Sequence, residues 1–548
     1  MKTTFTGPDA ARFAARDRAT DRPVLLVGFQ KQSNLGLGYL ASVLRAFGYR
    51  VIIADVTAAP EDLARIAATE RPLLIGFSLI FQFYIRRYRA QVRALRAAGY
   101  DGHITMGGHF PSLNPPAALA EVPELDSVCQ YEGELTLLDL ADALSTGGDP
   151  RSVAGLIHAG EATPSCGDTR SLLHDLDDLP WPAREVEPRA ILGQRAASLL
   201  ASRGCARTCS FCSIHTFYRS APGKVVRLRA PEKVVEEMAY LHHDEKISVF
   251  LFQDDDFPIF GPNWKKWARR LIGEIKAAGL ADRIAWKINC RADAVDPELL
   301  LEMKAAGLFL VYMGLESGDN GGLDVLGKGI TAEQNLAAVR TLKRIGLRFE
   351  YGFMLLDPSS SFASIRANLD FLRKVTGDGS VAATFCRMLP YDGTPIKDRL
   401  VAEGRFRGDV CDPDYAFLDD RLDGFNADMN RLLNVSGWIH GTAALSPSLN
   451  WAWDEFAVLA RFFPALTGLE SYRRALARLT AAANRVVLGA MDTLANHHET
   501  GAAAPDEAQL TETARDLNQR LLNLRNAFVF RHQEKILAGA SLAAAAQA

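Results

Sequence analysis

Ser198-Leu199-Leu200 is a short apolar run, and Cys205-Ala206-Arg207-Thr208-Cys209-Ser210-Phe211-Cys212 follows it within a few residues. A strand leading into three cysteines is the most informative pattern in the chain. Thiolates spaced C-x3-C-x2-C on one loop can grip a single metal centre. Structural zinc takes four protein ligands, so these three do not fill such a site unaided. His215 lies near enough in sequence to be a fourth, which keeps a zinc knuckle open. A four-iron cubane held by three thiolates leaves one iron open to another molecule.

Outward from this stretch, apolar runs alternate with helical patterns. On the C-terminal side the strands expected are Ser248 to Phe252, Ile284 to Ile288, Phe309 to Met313, Phe349 to Phe353 and Ala383 to Cys386. With the strand at Ser198 they make six βα units, which suit an incomplete barrel; functional groups gather at the carboxyl ends of barrel strands. Trp264 to Ala277 reads as a helix behind an Asn263 cap. On the N-terminal side, Val24 to Val27, Val51 to Ala54, Leu73 to Phe77, His103 to Met106 and Ser127 to Cys129 are separated by helices. That alternation implies a doubly wound parallel sheet, with ligands outside its carboxyl edge. Leu156 to His158 is a further strand candidate before the Pro-rich, acidic stretch Leu176 to Pro182. After residue 396 the strands stop and Ala, Leu and Arg recur with helical period. Leu510, Ala514, Leu517, Leu521, Leu524 and Phe528 form one apolar stripe.

The fold class expected is α/β. An N-terminal extension (1–20) precedes a doubly wound, Rossmann-like domain (21–147), a linker (148–195), a partial (β/α)6 TIM-type barrel (196–396) and a C-terminal helical domain (397–548). The 548 residues carry a formal net charge of −3 and no dense basic block, which argues against a nucleic-acid partner. No apolar run is long enough to cross a bilayer, and the N-terminus has no apolar signal core. Eight cysteines with one cluster are not a disulfide framework, so a reducing, cytoplasmic setting is expected. His242-His243 and His497-His498 read as helix-end residues, and Trp438, Trp451 and Trp453 as core more readily than pocket lining.

Four other strand ends carry polar groups: Gln253-Asp254-Asp255-Asp256, Asn289-Cys290-Arg291-Ala292-Asp293, Gly314-Leu315-Glu316-Ser317-Gly318 and Pro390-Tyr391-Asp392-Gly393-Thr394-Pro395. In this order, behind the cysteine triad, they resemble the radical SAM proteins that also carry a cobalamin-binding domain. The resemblance spans about residues 196–396. It implies a [4Fe-4S] cluster on Cys205, Cys209 and Cys212, whose open iron is chelated by S-adenosylmethionine. Phe211 would face the adenine. Asp254 and Asp255 would meet the amino group and sulfonium, Arg291 the carboxylate, and Glu316 and Ser317 the ribose. The chain departs from the family at Leu356-Asp357-Pro358-Ser359, where a second glycine is usual; this affects the strand-five adenine contacts only.

The same relatives imply a cobalamin module in the N-terminal domain, contacted by Gly36, Leu37, Gly38, Ser78, Gly107, Gly108, Glu132 and Gly133. Lys31 and Ser33 stand where the family's Asp-x-His would be, so cobalamin is expected base-off, without a protein histidine ligand. The implied reaction is methyl transfer to an unactivated carbon or phosphorus centre of a small-molecule, lipid or peptide substrate, through a 5′-deoxyadenosyl radical and methylcobalamin. Electrons would come from a donor such as flavodoxin or ferredoxin. A cobalamin-dependent cyclase or rearrangement enzyme is the alternative. A non-catalytic metal-binding sensor or scaffold is the third reading.

Overall fold

The computed structural model describes residues 20–32, 34–161, 169–441 and 443–537. The expected N-terminal extension, all but its last residue, and Ser33 lie outside them. In chain order the strands run β1 (Val24–Gly28), β2 (Val51–Asp55), β3 (Leu74–Ser78), β4 (His103–Gly107), β5 (Ser127–Cys129), β6 (Leu156–His158), β7 (Ala190–Ile191), β8 (Gln194–Leu199), β9 (Ser202–Arg203), β10 (Arg227–Leu228), β11 (Ile247–Phe252), β12 (Ala285–Cys290), β13 (Leu308–Glu316), β14 (Arg348–Leu356) and β15 (Cys386–Arg387). The chain divides into two compact units. One holds 1–187, 202–230 and 390–414; the other holds 188–201, 231–389 and 415–548.

The first unit is built on a sheet of order β2-β1-β3-β4-β5-β6. β1 to β5 run parallel, because the connections between them are helical crossovers. Val24 to Val27 are at most 1 % exposed, as strands covered on both faces must be. Leu25 and Val27 face a core shared with Leu63, Tyr88 and Val92 of helices Pro60–Glu70 and Ile85–Ala97. On the other face Leu26 and Leu137, of helix Glu134–Thr146, both reach toward Gly76. β6 pairs antiparallel with β5, so the sheet extends into the segment expected to be linker. The three residues of β6 carry too short a pattern to assign to a sheet without their partner.

The second unit is built on β7-β8-β11-β12-β13-β14-β15. β8 and β11 to β15 are six parallel strands, and β7 adds an antiparallel edge on β8. The outward face buries large side chains. Trp286 is fully buried, donates Nε1–H to the Ala306 carbonyl (2.8 Å) and meets the rings of Phe252 and Phe257. The inward face has an apolar base where Ala196, Val249, Ala285 and Leu310 pack with Val458 of helix Leu445–Phe462. β15 is shorter than the Ala383 to Cys386 run suggests. The amides of Ala382 and Ala383 donate to the side chains of Asn450 and Asn484, and that of Thr384 to the Tyr351 hydroxyl, instead of to a strand partner.

The helix expected from Trp264 begins at Gly261 and is capped by Phe260, not Asn263. Pro262 in its first turn supplies a pre-set φ and needs no N–H partner. The C-terminal part is helical: Arg421–Val435, Leu445–Phe462, Leu469–Thr500 and Glu507–Arg531. Leu510, Ala514, Leu517, Leu521 and Phe528 of the stripe are buried. Trp438 and Trp453 are core residues, whereas Trp451 is 45 % exposed. No helix among the described residues is long and apolar enough to cross a membrane.

Trp286→Ala removes the largest side chain of the outward face and orphans the Ala306 carbonyl. It should cost about 3–5 kcal/mol, read as a lower denaturant midpoint for the second unit.

Candidate functional site

Cys205, Cys209 and Cys212 lie on the loop between β9 and helix Ser213–Arg219 of the first unit, and none is in a disulfide. Several backbone bonds fix the loop. The Cys212 amide donates to the Cys209 carbonyl (3.2 Å), and that of Ile396 to the Ser210 carbonyl (3.0 Å). Arg219 donates to the Ala206 carbonyl (3.3 Å). Cys212 is also the N-cap residue of the helix that follows. His215 Nδ1 lies 3.3 Å from the Cys212 carbonyl and 3.3 Å from the Thr216 hydroxyl. Among the described residues no three His, Cys, Asp or Glu side chains converge on a single-ion site. Three thiols presented by one braced loop suit a cubane, in which each thiolate takes a different iron. Phe211 is half-buried on the same loop.

The Ile396 amide belongs to the Gly393-Thr394-Pro395 turn, which is pinned from several sides. Asp392 accepts from Asn114 (2.9 Å) and Lys397 (2.6 Å), and its amide donates to the Gln82 side chain (2.8 Å). This sixth strand-end motif therefore grips the β3 and β4 loops and the cysteine loop within one unit.

The carboxyl edge of the first sheet is the candidate cobalamin seat. Strand order reverses between β1 and β3, which is where doubly wound sheets bind their ligands. Ser78 and Gly107 end β3 and β4 in register, and Gly28 ends β1 beside Ser78, so these three strand ends carry no large side chain. Gly108 has φ +109°, and a Cβ there would sit 2.2 Å from the Leu79 carbonyl oxygen; only glycine fits. The residues present fit a bulky cofactor tail. Gly36 is exposed beside them. Other residues expected at this seat have internal roles. Leu37 is fully buried, Gly38 accepts from the Ala183 amide (3.0 Å), and Gly133 precedes helix Glu134–Thr146 under Leu40.

The Glu132 carboxylate lies in a buried ionic network. It accepts from Arg203 (3.2 Å), Arg227 (2.7 Å) and the Leu173 amide (2.8 Å), with its side chain 7 % exposed. Arg203 also bonds Glu134 (2.7 Å) and covers the Tyr39 ring. Burial raises the Glu132 pKa, but Arg203 and Arg227 outweigh it and hold the carboxyl below its usual range. Arg203 lies two residues before Cys205, so this buried network ties the cysteine loop to the β5 turn. Nearby, His109 follows the glycine pair and packs its ring against Phe217 of helix Ser213–Arg219 (centroids 4.6 Å). Burial pushes its imidazole down to about 4, so it is neutral at pH 7.

The second unit carries the remaining strand ends. Asp254 is buried and its carboxylate accepts from the Ala201 amide (3.2 Å to either oxygen), while Asp255 beside it is exposed. Arg291 donates Nε–H to Asp293 (3.1 Å) and a second N–H to the Lys328 carbonyl. Ser317 is fully buried and bonds Asn368 (3.0 Å). Asp254, Arg291 and Ser317 thus brace the rim. Glu316 is held at φ +63°, sparsely populated for a side-chain-bearing residue. Lys328 Nζ fixes it, bonding Glu316 (3.2 Å) and the Gly314 carbonyl (3.1 Å). Lys328 escaped the sequence reading; its signal is the Gly327-Lys328-Gly329 string, whose two glycines have positive φ. Of the rim carboxylates, Asp255 is exposed and Glu316 partly exposed.

Arg203→Met leaves Glu132 and Glu134 buried with a charge removed between them. It should cost about 3–5 kcal/mol, seen as a lower melting temperature and loosening of the cysteine loop in hydrogen exchange. His109 predicts a pH effect in cobalamin-free protein. Its folded value of about 4 lies below the usual 6.5, so its contribution is full above pH 6.5 and is lost as pH falls toward 4. His109→Phe should flatten this slope by up to about 1.4 kcal/mol per pH unit in denaturant titrations. A residual slope should persist from His103, which burial also pushes to about 4.

Comparison with known proteins meets this geometry on both units. The B12 binding domain family matches residues 22–141, and the Radical SAM superfamily matches 199–372. An uncharacterised methyltransferase of Pyrococcus horikoshii is 30 % identical over 374 residues, covering 67 % of this chain and 78 % of that protein. The anaerobic magnesium-protoporphyrin IX monomethyl ester cyclase of Rubrivivax gelatinosus is 28 % identical, over 58 % of each chain. The cytidylyl-2-hydroxyethylphosphonate methyltransferase of Streptomyces wedmorensis is 23 % identical, over 68 % of this chain and 78 % of its own. Among solved structures, the cobalamin-dependent S-adenosylmethionine radical enzyme OxsB with aqua-cobalamin and S-adenosylmethionine matches with TM-score 0.63 and 16 % identity, over 94 % of this chain and 85 % of its own. The radical S-adenosylmethionine methyltransferase TsrM of Kitasatospora setae, with cobalamin and a [4Fe-4S] cluster, matches with TM-score 0.58 and 17 % identity, over 92 % and 99 %. Both domain families thus match within one chain, and the chain belongs to the cobalamin-dependent radical SAM methyltransferase family.

Proposed function

We propose that this enzyme transfers a methyl group to an unactivated carbon or phosphorus centre of a small-molecule, lipid or peptide substrate. One observation carries the reading: the cysteine loop and the glycine edge of the first sheet belong to one compact unit, in which the Arg203–Glu132 ion pair ties the cysteine loop to the turn after β5. When bound, the cluster, S-adenosylmethionine and cobalamin supply radical initiation and methyl transfer. The chain supplies placement. Cys205, Cys209 and Cys212 would hold three irons. Gly36, Ser78, Gly107 and Gly108 would line the cobalamin tail. Asp255 and Glu316 would meet S-adenosylmethionine, with Asp254, Arg291 and Ser317 setting the shape of the rim.

Cobalamin would sit base-off with no protein histidine beneath it. Lys31, at the family's aspartate position, gives its ammonium to Thr57 (3.1 Å), and His109 is packed on Phe217. A small reducing protein such as flavodoxin or ferredoxin would deliver electrons in the cytoplasm. The cyclase among the relatives favours a second reading, ring formation with no methyl in the product.

Anaerobic protein reconstituted with iron, sulfide and cobalamin, then given S-adenosylmethionine and reductant, should release 5′-deoxyadenosine. Methyl transfer adds S-adenosylhomocysteine to the products, and cyclisation does not. Cys209→Ala should lose the cluster iron and all deoxyadenosine while still binding cobalamin. Undiminished cleavage by that variant would overturn the assignment of the triad.

A further inference from the structure

A parallel sheet covered on both sides has near-continuous apolar strands. The second sheet breaks that rule on its inward face. In β12, Trp286, Ile288 and Cys290 are buried, while Lys287 and Asn289 between them are partly exposed. In β13, Tyr312 is 37 % exposed between buried Val311 and Met313. In β14, Glu350 is partly exposed between buried Phe349 and Tyr351. The register sets Tyr312 between Asn289 and Glu350. With the Val458 layer as its floor, this face is an open polar recess.

Two donors in the recess lack an acceptor. Lys287 Nζ lies 5.6 Å from the centre of the Tyr312 ring and makes no hydrogen bond or ion pair among the described residues. The Tyr312 hydroxyl likewise has no hydrogen-bond partner among them. It occupies room that Gly352 leaves, since a Cβ there would lie 2.8 Å from it. The nearby carboxylates are engaged elsewhere: Arg348 pairs with Glu350 (3.4 Å) and Asp454 (3.2 Å). Burial pushes Asp454 up to about 7, so this carboxyl carries less than its full negative charge at neutral pH. A partly desolvated ammonium without a partner is costly unless a ligand completes it. Its burial lowers the Lys287 pKa, with Glu350 and Asp454 opposing.

We propose that this recess is the substrate seat and takes an anionic oxygen group, a carboxylate or a phosphate, held by Lys287 Nζ and the Tyr312 hydroxyl. The assignment rests on the radical SAM reading of this sheet. Neutral phenol and ammonium both donate, so the ligand must accept.

The test uses the full chain, isolated anaerobically with its cofactors, and limited acetylation by acetic anhydride mapped by peptide mass spectrometry. Inorganic phosphate, succinate, neutral succinamide and the dication putrescine are the probes. Phosphate or succinate should lower Lys287 acetylation at least about threefold once the anion exceeds twice its Kd, with exposed Lys233 unchanged. Whichever anion protects better names the group. Tyr312→Phe, which keeps the ring, should weaken that protection several-fold. No protection, or equal protection by succinamide or putrescine, overturns the proposal. Deoxyadenosine release is assayed on the same samples. Release without anion protection sinks the seat alone, whereas protection without release leaves an anion site standing and sinks the radical reading.

Discussion

The buried network of Glu132, Glu134, Arg203 and Arg227 is the constraint on which the first unit depends. Two carboxylates and two guanidiniums lie almost wholly out of water, each paired with an opposite charge, and the Glu132 carboxylate and Arg227 Nη1 also bond backbone at Leu173. Such a network contributes little net stability against an apolar replacement, but losing one member strands the rest. Its value here is location. Arg203 is the strand residue before the cysteine loop, and Glu132 is the turn residue after β5. The pair fixes one against the other with the angular precision of charge-assisted hydrogen bonds.

The rim of the second sheet applies the same economy. Asp254 holds the Ala201 amide, Arg291 spans Asp293 and the Lys328 carbonyl, and Lys328 grips Glu316 in a strained conformation. Polar residues at strand ends build the shape of a site as well as touch its ligand. Backbone strain at Glu316 persists because Lys328 and the neighbouring carbonyl over-determine it. The functional groups left facing outward are few, which suits chemistry that bound cofactors carry out.

Helix Leu445–Phe462 gives the C-terminal part a definite task. Val458 seals the base of the inward face, and Asn450 and Asp454 of the same helix bind Arg348 and the Ala382 amide. One turn of apolar residues and one of polar residues on a single helix thus set both the floor of the recess and the charge balance at its side. The same asparagine, with Asn484 and the Tyr351 hydroxyl, takes the amides that precede the short β15.

Much was legible in the sequence. Periodicity placed the parallel strands, because buried strands must be apolar and their helices amphipathic. The cysteine spacing marked a loop able to grip a metal centre, because three thiolates on one loop need no tertiary information to be recognised. Tertiary structure alone decided what the polar residues do. The pairing of Glu132 with Arg203 and Arg227 is invisible to local pattern, because both partners are distant in sequence. β6 joined a sheet because β5 was there to receive it, and Lys287 acquired meaning only when the strands beside it showed which neighbours were already engaged. Local patterns specify elements; long-range pairing specifies the role of each charge, since a charge is defined by what lies within reach of it.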